Sequence, residues 1–242
     1  MQKLKPQTVE DPTGRIYYRF NDYFKEAVST LILLLIIVIM FCVVFWLATH
    51  YAKPIEGSSM QPNINNYEAA TGDIAIVSNQ LRYTRDDILI IDMAKSNNQD
   101  AFAKEKLLIK RVIAMPGDSI KLVENGGEYV FYIKKPSDTD FSPIKSRAQI
   151  NPMTSINKAT AFYEQIGWTI KPTKNADGSI TIPDGYIFFA GDNRDASYDC
   201  RNFGPVEMKA CVGVVEYVLY KESFWNKLFS IINLFGTKPV QI

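Results

Sequence analysis

The chain reads as a mainly β protein, an antiparallel sheet or barrel domain that follows a single N-terminal membrane-spanning helix. Three observations predict this. An uncharged run of 22 residues, 27–48, stands near the start of the chain. Short runs rich in Val, Ile and Leu, each bounded by turn residues, recur between residues 73 and 220. Beyond the apolar run, no comparably long segment carries a strong helical pattern.

Residues 1–26 are polar, hold Pro6 and Pro12, and read as a poorly ordered cytoplasmic tail. In residues 27–48 only Ser29 and Thr30 interrupt the apolar run. A helix of this length reaches about 33 Å, enough to cross a bilayer. The apolar core of a cleaved signal peptide would be shorter and would end in a small-residue site. Arg15, Arg19 and Lys25 precede the run, and only Lys53 follows closely. The positive-inside rule therefore places the N-terminus in the cytoplasm and residues 49–242 across the cell membrane. Trp46 and Tyr51 suit the outer interface.

Residues 49–222 form the expected β-rich domain. Strands are predicted at 73–78, 87–92, 107–114, 119–124, 128–134, 186–192 and 212–220. Asn125-Gly126-Gly127 signals a hairpin between two of them. Residues 135–178 carry Pro136, Pro143, Pro152 and Pro172 and read as an insertion, with a short helix near 155–166. In the tail, 223–242, the apolar residues Phe224, Trp225, Leu228, Phe229, Ile231, Ile232 and Phe235 share one helical face. That segment is either an interfacial helix on the bilayer or a helix docked on the β domain.

Composition narrows the chemistry. Lys and Arg total 27 against 26 Asp and Glu, so charge gives no reason to expect nucleic acid as a partner. Three cysteines make no disulfide framework, and nothing in the sequence brings Cys200 and Cys211 together. The single histidine is His50, so any Ser-His-Asp triad or histidine-ligated metal would have to use it. No cofactor or metal is expected.

Three motifs remain: Ser59-Met60-Gln61-Pro62, the stretch from Lys110 to Asp118, and "GDNRDASYDCRNFG" from Gly191 to Gly204. With Gly72-Asp73 they form four ordered boxes. In that order the chain resembles type I signal peptidases, membrane-bound serine proteases that remove signal peptides from exported preproteins. The resemblance spans residues 27 to about 220. It implies a Ser-Lys dyad, with Ser59 as nucleophile and Lys110 as general base. It also implies that Ser197 orients the lysine. Asp192, Arg194, Asp199 and Arg201 are expected to hold their loop through ion pairs. Cleavage after small residues in an Ala-x-Ala pattern follows from the resemblance, with Ile55, Met60, Leu108 and Ile109 lining the small-residue pocket. So does proximity to the translocation machinery.

Residue chemistry sets its own demand on that reading. A lysine base must be neutral, yet a free lysine titrates near ~10.4, so Lys110 has to be buried. Its neighbours Leu107, Leu108, Ile109, Val112 and Ile113 offer such a site, and strand alternation puts Lys110 and Arg111 on opposite faces. The Ser59 backbone N–H is implied as one oxyanion donor. Where some relatives supply a serine hydroxyl as the second, this chain has Gly57. Self-cleaving repressors share such a dyad, but would be cytoplasmic and carry a DNA-binding helix pair. An anchored binding protein with decayed protease boxes is the rival outside enzymes.

Overall fold

The computed structural model describes residues 7–19, 22–67, 69, 71–98, 100–104, 106–224, 227 and 240–241. Two compact units divide the chain, Met1–Thr49 and His50–Ile242.

The first unit holds β1 (Gln7–Glu10), β2 (Ile16–Arg19) and α1 (Asp22–Thr49). β1 and β2 form an antiparallel hairpin where the sequence suggests a poorly ordered tail. Its turn explains the difference. The Asp11 carboxylate accepts bonds from the Thr13 N–H, the Thr13 hydroxyl and the Arg15 N–H, and Gly14 takes φ +80°. An Asp-Pro-Thr-Gly turn closed by its own side chains outweighs the polar composition around it. Across the apolar run of α1, side chains such as Leu31 and Phe41 are about 70% exposed. One helix among the described residues is therefore long and apolar enough to cross a membrane, and none of its apolar span is buried against protein.

The second unit is built from β3 (His50–Glu56), β4 (Thr71–Ser78), β5 (Ile88–Asp92), β6 (Leu107–Ala114), β7 (Ser119–Asn125), β8 (Glu128–Lys134), β9 (Ser142–Pro143), α2 (Ile156–Glu164), β10 (Ile180–Thr181), β11 (Tyr186–Ala190), α3 (Cys200–Phe203), β12 (Val206–Glu207), β13 (Cys211–Leu219) and β14 (Val240–Gln241). The predicted runs all become strands. The sequence pattern does not predict β3, because Lys53 and Pro54 break up its apolar run. Tyr51 belongs to this strand and packs on the core beneath it. Its ring is half-buried against protein.

The larger sheet has eight strands in the order β12-β11-β6-β14-β3-β4-β13-β5, and β5 also pairs with β6, so the sheet curls back on itself. Inside the curl, Ile55, Met60, Ile64, Ala75, Val77, Ile90 and Ile109 form one core. The smaller sheet, β10-β7-β8-β9, packs with α2 over a second core around Phe131, Phe162, Trp168 and Phe188. Phe131, Phe162 and Phe188 meet edge to face, with centroids 5.8–5.9 Å apart. The predicted helix of the insertion is α2. Trp225 and residues 228–235 lie outside the described residues, and with them most of the amphipathic segment.

Candidate active site

Ser59 sits in the turn that follows β3. Gly57 begins that turn at φ +103°, a conformation a side chain would strain, which accounts for glycine at this position. The turn is pinned downstream by Asn65 and Asp73. Each accepts the other's backbone N–H, at 2.7 and 2.9 Å, and the Asn65 amide donates to Ile55 O. The Gly72-Asp73 box thus has a local role, tying the serine turn to β4.

Lys110 lies in β6, opposite Leu89 of β5, and is 1% exposed. Its Nζ is 2.7 Å from Ser59 Oγ and donates to Ile109 O at 3.1 Å. Burial pulls its pKa down from 10.5 to about 8, with Asp199 opposing the shift and Arg201 reinforcing it. Near pH 8 a substantial fraction of the amine is therefore neutral, unlike a solvated lysine. The Ser59 backbone N–H donates to no group among the described residues. His50, by contrast, bonds Glu216 at 3.0 Å.

Arg111 leaves β6 on the other face and grips Asp192 through two bonds, Nε–Oδ1 at 2.7 Å and a terminal guanidinium N–Oδ2 at 2.6 Å. That pair draws the 191–204 loop onto β6. Next to it, the Asn193 N–H donates to Ser59 O at 2.9 Å and the Asn193 amide to Ser58 O at 3.2 Å. Arg201 and Asp199, both fully buried, form a second two-bond pair. Burial raises the Asp199 pKa, but the Arg201 guanidinium and the Ser197 and Gly191 donors outweigh it and hold the carboxyl well below its usual range.

Two expectations meet a different geometry. The Ser197 hydroxyl donates to Asp199 at 2.6 Å rather than to Lys110. The charge of that carboxylate favours the protonated form of Lys110. Arg194 makes no ion pair among the described residues. Its guanidinium sits 5.3 Å from the Phe131 ring centroid and its buried Nε has no hydrogen-bond partner there. The four proposed pocket residues also divide. Ile55, Met60 and Ile109 share the core beside Ser59, while Leu108 packs into the other core. Successive strand residues face opposite sides, so Leu108 and Ile109 cannot point the same way. Cys200 and Cys211 are buried free thiols. No group of three or more His, Cys, Asp or Glu among the described residues could hold a metal.

The insertion contributes more than its sequence suggests. Asn151 bridges to Asn193, Thr154 and Ser155 donate to Asp195, and Lys158 donates to the Ser197 carbonyl. The Trp168 indole donates to Arg201 O at 3.0 Å. This segment braces the outer side of the loop that holds Ser59. Spacing could not reveal those contacts, because each partner is an ordinary polar residue in a Pro-rich stretch.

Packing is tight where loop and serine turn meet. A Cβ on Gly191 would fall inside contact distance of both Ser197 Oγ and Ser59 O. Gly191→Ala is expected to destabilise the fold by about 1–3 kcal/mol, as overpacking does. Ser59 has to shift, so kcat/KM is expected to fall more than about tenfold. Thermal unfolding and peptide kinetics on the same preparation check both effects.

Residues 25–220 match the family described as signal peptidase, peptidase S26. The chain belongs to that signal peptidase family. Signal peptidase I of Streptococcus pneumoniae serotype 4 is 28% identical over 217 residues, covering 83% of this chain and 95% of that one. Signal peptidase I of Bacillus licheniformis is 30% identical over 173 residues, 69% of this chain and 74% of its own. The crystal structure of a signal peptidase I from Enterococcus faecalis aligns with 55% of this chain and 97% of that one, at 21% identity and a TM-score of 0.32, too distant to inform the site. As a signal peptidase the chain is a peptide-bond hydrolase acting on preproteins that carry signal peptides.

Proposed function

We propose that this signal peptidase cleaves with a Ser59–Lys110 dyad. The observation that carries the reading is the 2.7 Å approach of a fully buried lysine amine to Ser59 Oγ. Neutral Lys110 takes the Ser59 proton as Oγ attacks the scissile carbonyl. The Ser59 N–H stabilises the oxyanion. The resulting ammonium then protonates the leaving amine, and the acyl-enzyme forms. Water, deprotonated by Lys110, attacks the ester and releases the acid product and the serine.

The substrate is an extended segment that ends in small residues of the Ala-x-Ala kind. It adds as a strand beside β3 and β6, which lead to Ser59 and carry Lys110. Ile55, Met60 and Ile109 line the small-residue pocket. Leu108, facing the other core, shapes it through the backbone of β6. The helix α1 anchors the protein in the cell membrane with its N-terminus cytoplasmic. The anchor keeps the site at the bilayer surface where translocated preproteins emerge.

Purified full chain in detergent, incubated with a preprotein, is expected to shorten it at the signal-peptide junction, and Ser59→Ala is expected to leave it intact. The same assay tests the base. Lys110 is active when neutral, so kcat/KM is expected to fall on the acid side of about pH 8, by about tenfold for each pH unit below it. An acid limb near the free-lysine value would remove Lys110 from the role.

A further inference from the structure

Between β3 and β6 the sheet does not continue directly. Neighbouring strands are about 4.8 Å apart, so two strands with one between them leave a gap about 9.6 Å wide, which admits one extended chain. The gap is filled by β14, which runs parallel to both neighbours. Val240 is opposite Ile55, and Gln241 is opposite Glu56 on one side and Leu108 on the other. These partners lie just before the serine turn and just before Lys110.

Several features mark β14 as an occupant rather than a permanent stave. Its described residues, 240–241, pair with only part of β3 and β6, which have seven and eight residues. Pro239 precedes it in the sequence, and a proline has no N–H to donate to a ladder. Pro54 within β3 is typical of a strand with a free edge. Residues 237–242, Thr-Lys-Pro-Val-Gln-Ile, contain no Ala, Gly or Ser, so the segment lacks the small residues the proposed pocket takes. A pairing of a few residues is weak as a separate peptide. Tethered to β13 through residues 220–239, it acts at an effective concentration in the millimolar range.

We propose that residues 240–241 are an internal competitor, occupying the one-strand gap beside Ser59 and Lys110 so that a preprotein must displace them to add its own strand. This rests on the reading of that gap as the substrate's place. Binding of substrate is then weakened by the fraction of molecules whose gap is open. The site is masked between substrates without any change in the dyad.

The test compares the full chain with a variant lacking residues 236–242 and with Gln241→Pro, which keeps the length but removes a ladder donor. The probe is a fluorogenic peptide spanning an Ala-x-Ala junction. Both variants are expected to lower KM roughly threefold to tenfold with kcat unchanged. Added peptide of sequence 236–242 is expected to raise KM again in the truncated enzyme. The second arm uses Ser59→Ala with and without truncation and measures binding of the same peptide by anisotropy. Tighter binding after truncation supports the competitor even if no variant cleaves, an outcome that would sink the dyad alone. Unchanged KM and unchanged binding overturn the competitor. So does a lowered melting temperature with weaker binding in both variants, which would make β14 a structural stave.

Discussion

Lys110→Met is expected to abolish cleavage and, at neutral pH, to make the protein more stable. The first effect follows from the proposed chemistry. Without a base, Ser59 keeps its proton, and losing one member of such a unit costs on the order of 10³-fold or more. The second follows from burial. A native pKa of about 8, against ~10.4 in the unfolded chain, means that protonated Lys110 opposes folding. The sign can be followed through pH. Between about 8 and 10.4 the unfolded chain binds more protons than the native one, so wild-type stability rises with pH across that window. Below it the penalty is fully present, up to about 3 kcal/mol from the size of the shift. Above it the penalty is absent. Methionine fills similar volume with no charge to bury, so its advantage is greatest at or below pH 8 and fades towards pH 10.4. Chemical denaturation of both proteins at pH 7 and pH 10.5 reads the difference. An equal gap at the two pH values would show that Lys110 carries no burial penalty.

That opposition between function and stability is partly legible in the amino-acid sequence. Apolar residues at 107–109 and 112–113 surround Lys110, and a chain with one histidine has few other bases for a serine. The runs that form β4 to β8, β11 and β13 are legible because each buries at least one face, so its composition carries the signal. β3 is not, since Lys53 and Pro54 sit in a strand whose burial is only partial. The burial of Arg111 is equally hidden. Alternation puts it on the face away from Lys110, but a strand residue there is as readily solvated as paired. Only the fold shows that Asp192, 81 positions later, meets it at 2.6 Å. Ser197 is a similar case. Its place in the motif points to Lys110, while the structure gives its proton to Asp199, a neighbour two residues on whose carboxylate gathers five donors. Pairwise roles read from a motif miss such shared acceptors.

Asp199→Ala is expected to be among the most damaging single changes outside the dyad. Five donors converge on this carboxylate: Arg201 Nε at 2.8 Å, an Arg201 terminal nitrogen at 2.7 Å, the Ser197 hydroxyl at 2.6 Å, and the Gly191 and Arg201 backbone N–H groups at 3.0 and 3.2 Å. It also caps α3, with Asn202 completing the capping box. Removing it leaves the Arg201 guanidinium, 0% exposed, without a counter-charge. Breaking one side of such a pair costs about 3–5 kcal/mol, a large share of the roughly 5–15 kcal/mol that holds a domain together. The exposed Arg147, bonded to Asp86 and Asp87, makes a fair contrast. Its pairs are screened by water, and Arg147→Ala is expected to cost far less stability than Asp199→Ala. The orphaned charge can be separated from lost packing by adding Arg201→Met to Asp199→Ala. The double variant is expected to be more stable than Asp199→Ala alone, because no bare guanidinium remains buried. Activity reads the functional side. The same loop presses Asn193 onto the Ser59 carbonyl, so kcat/KM per folded molecule is expected to fall in both variants. Denaturation midpoints for the four proteins decide the energetic argument. A loss in Asp199→Ala no larger than in Arg147→Ala, or a double variant weaker than the single, would mean that the buried pair does not hold the loop.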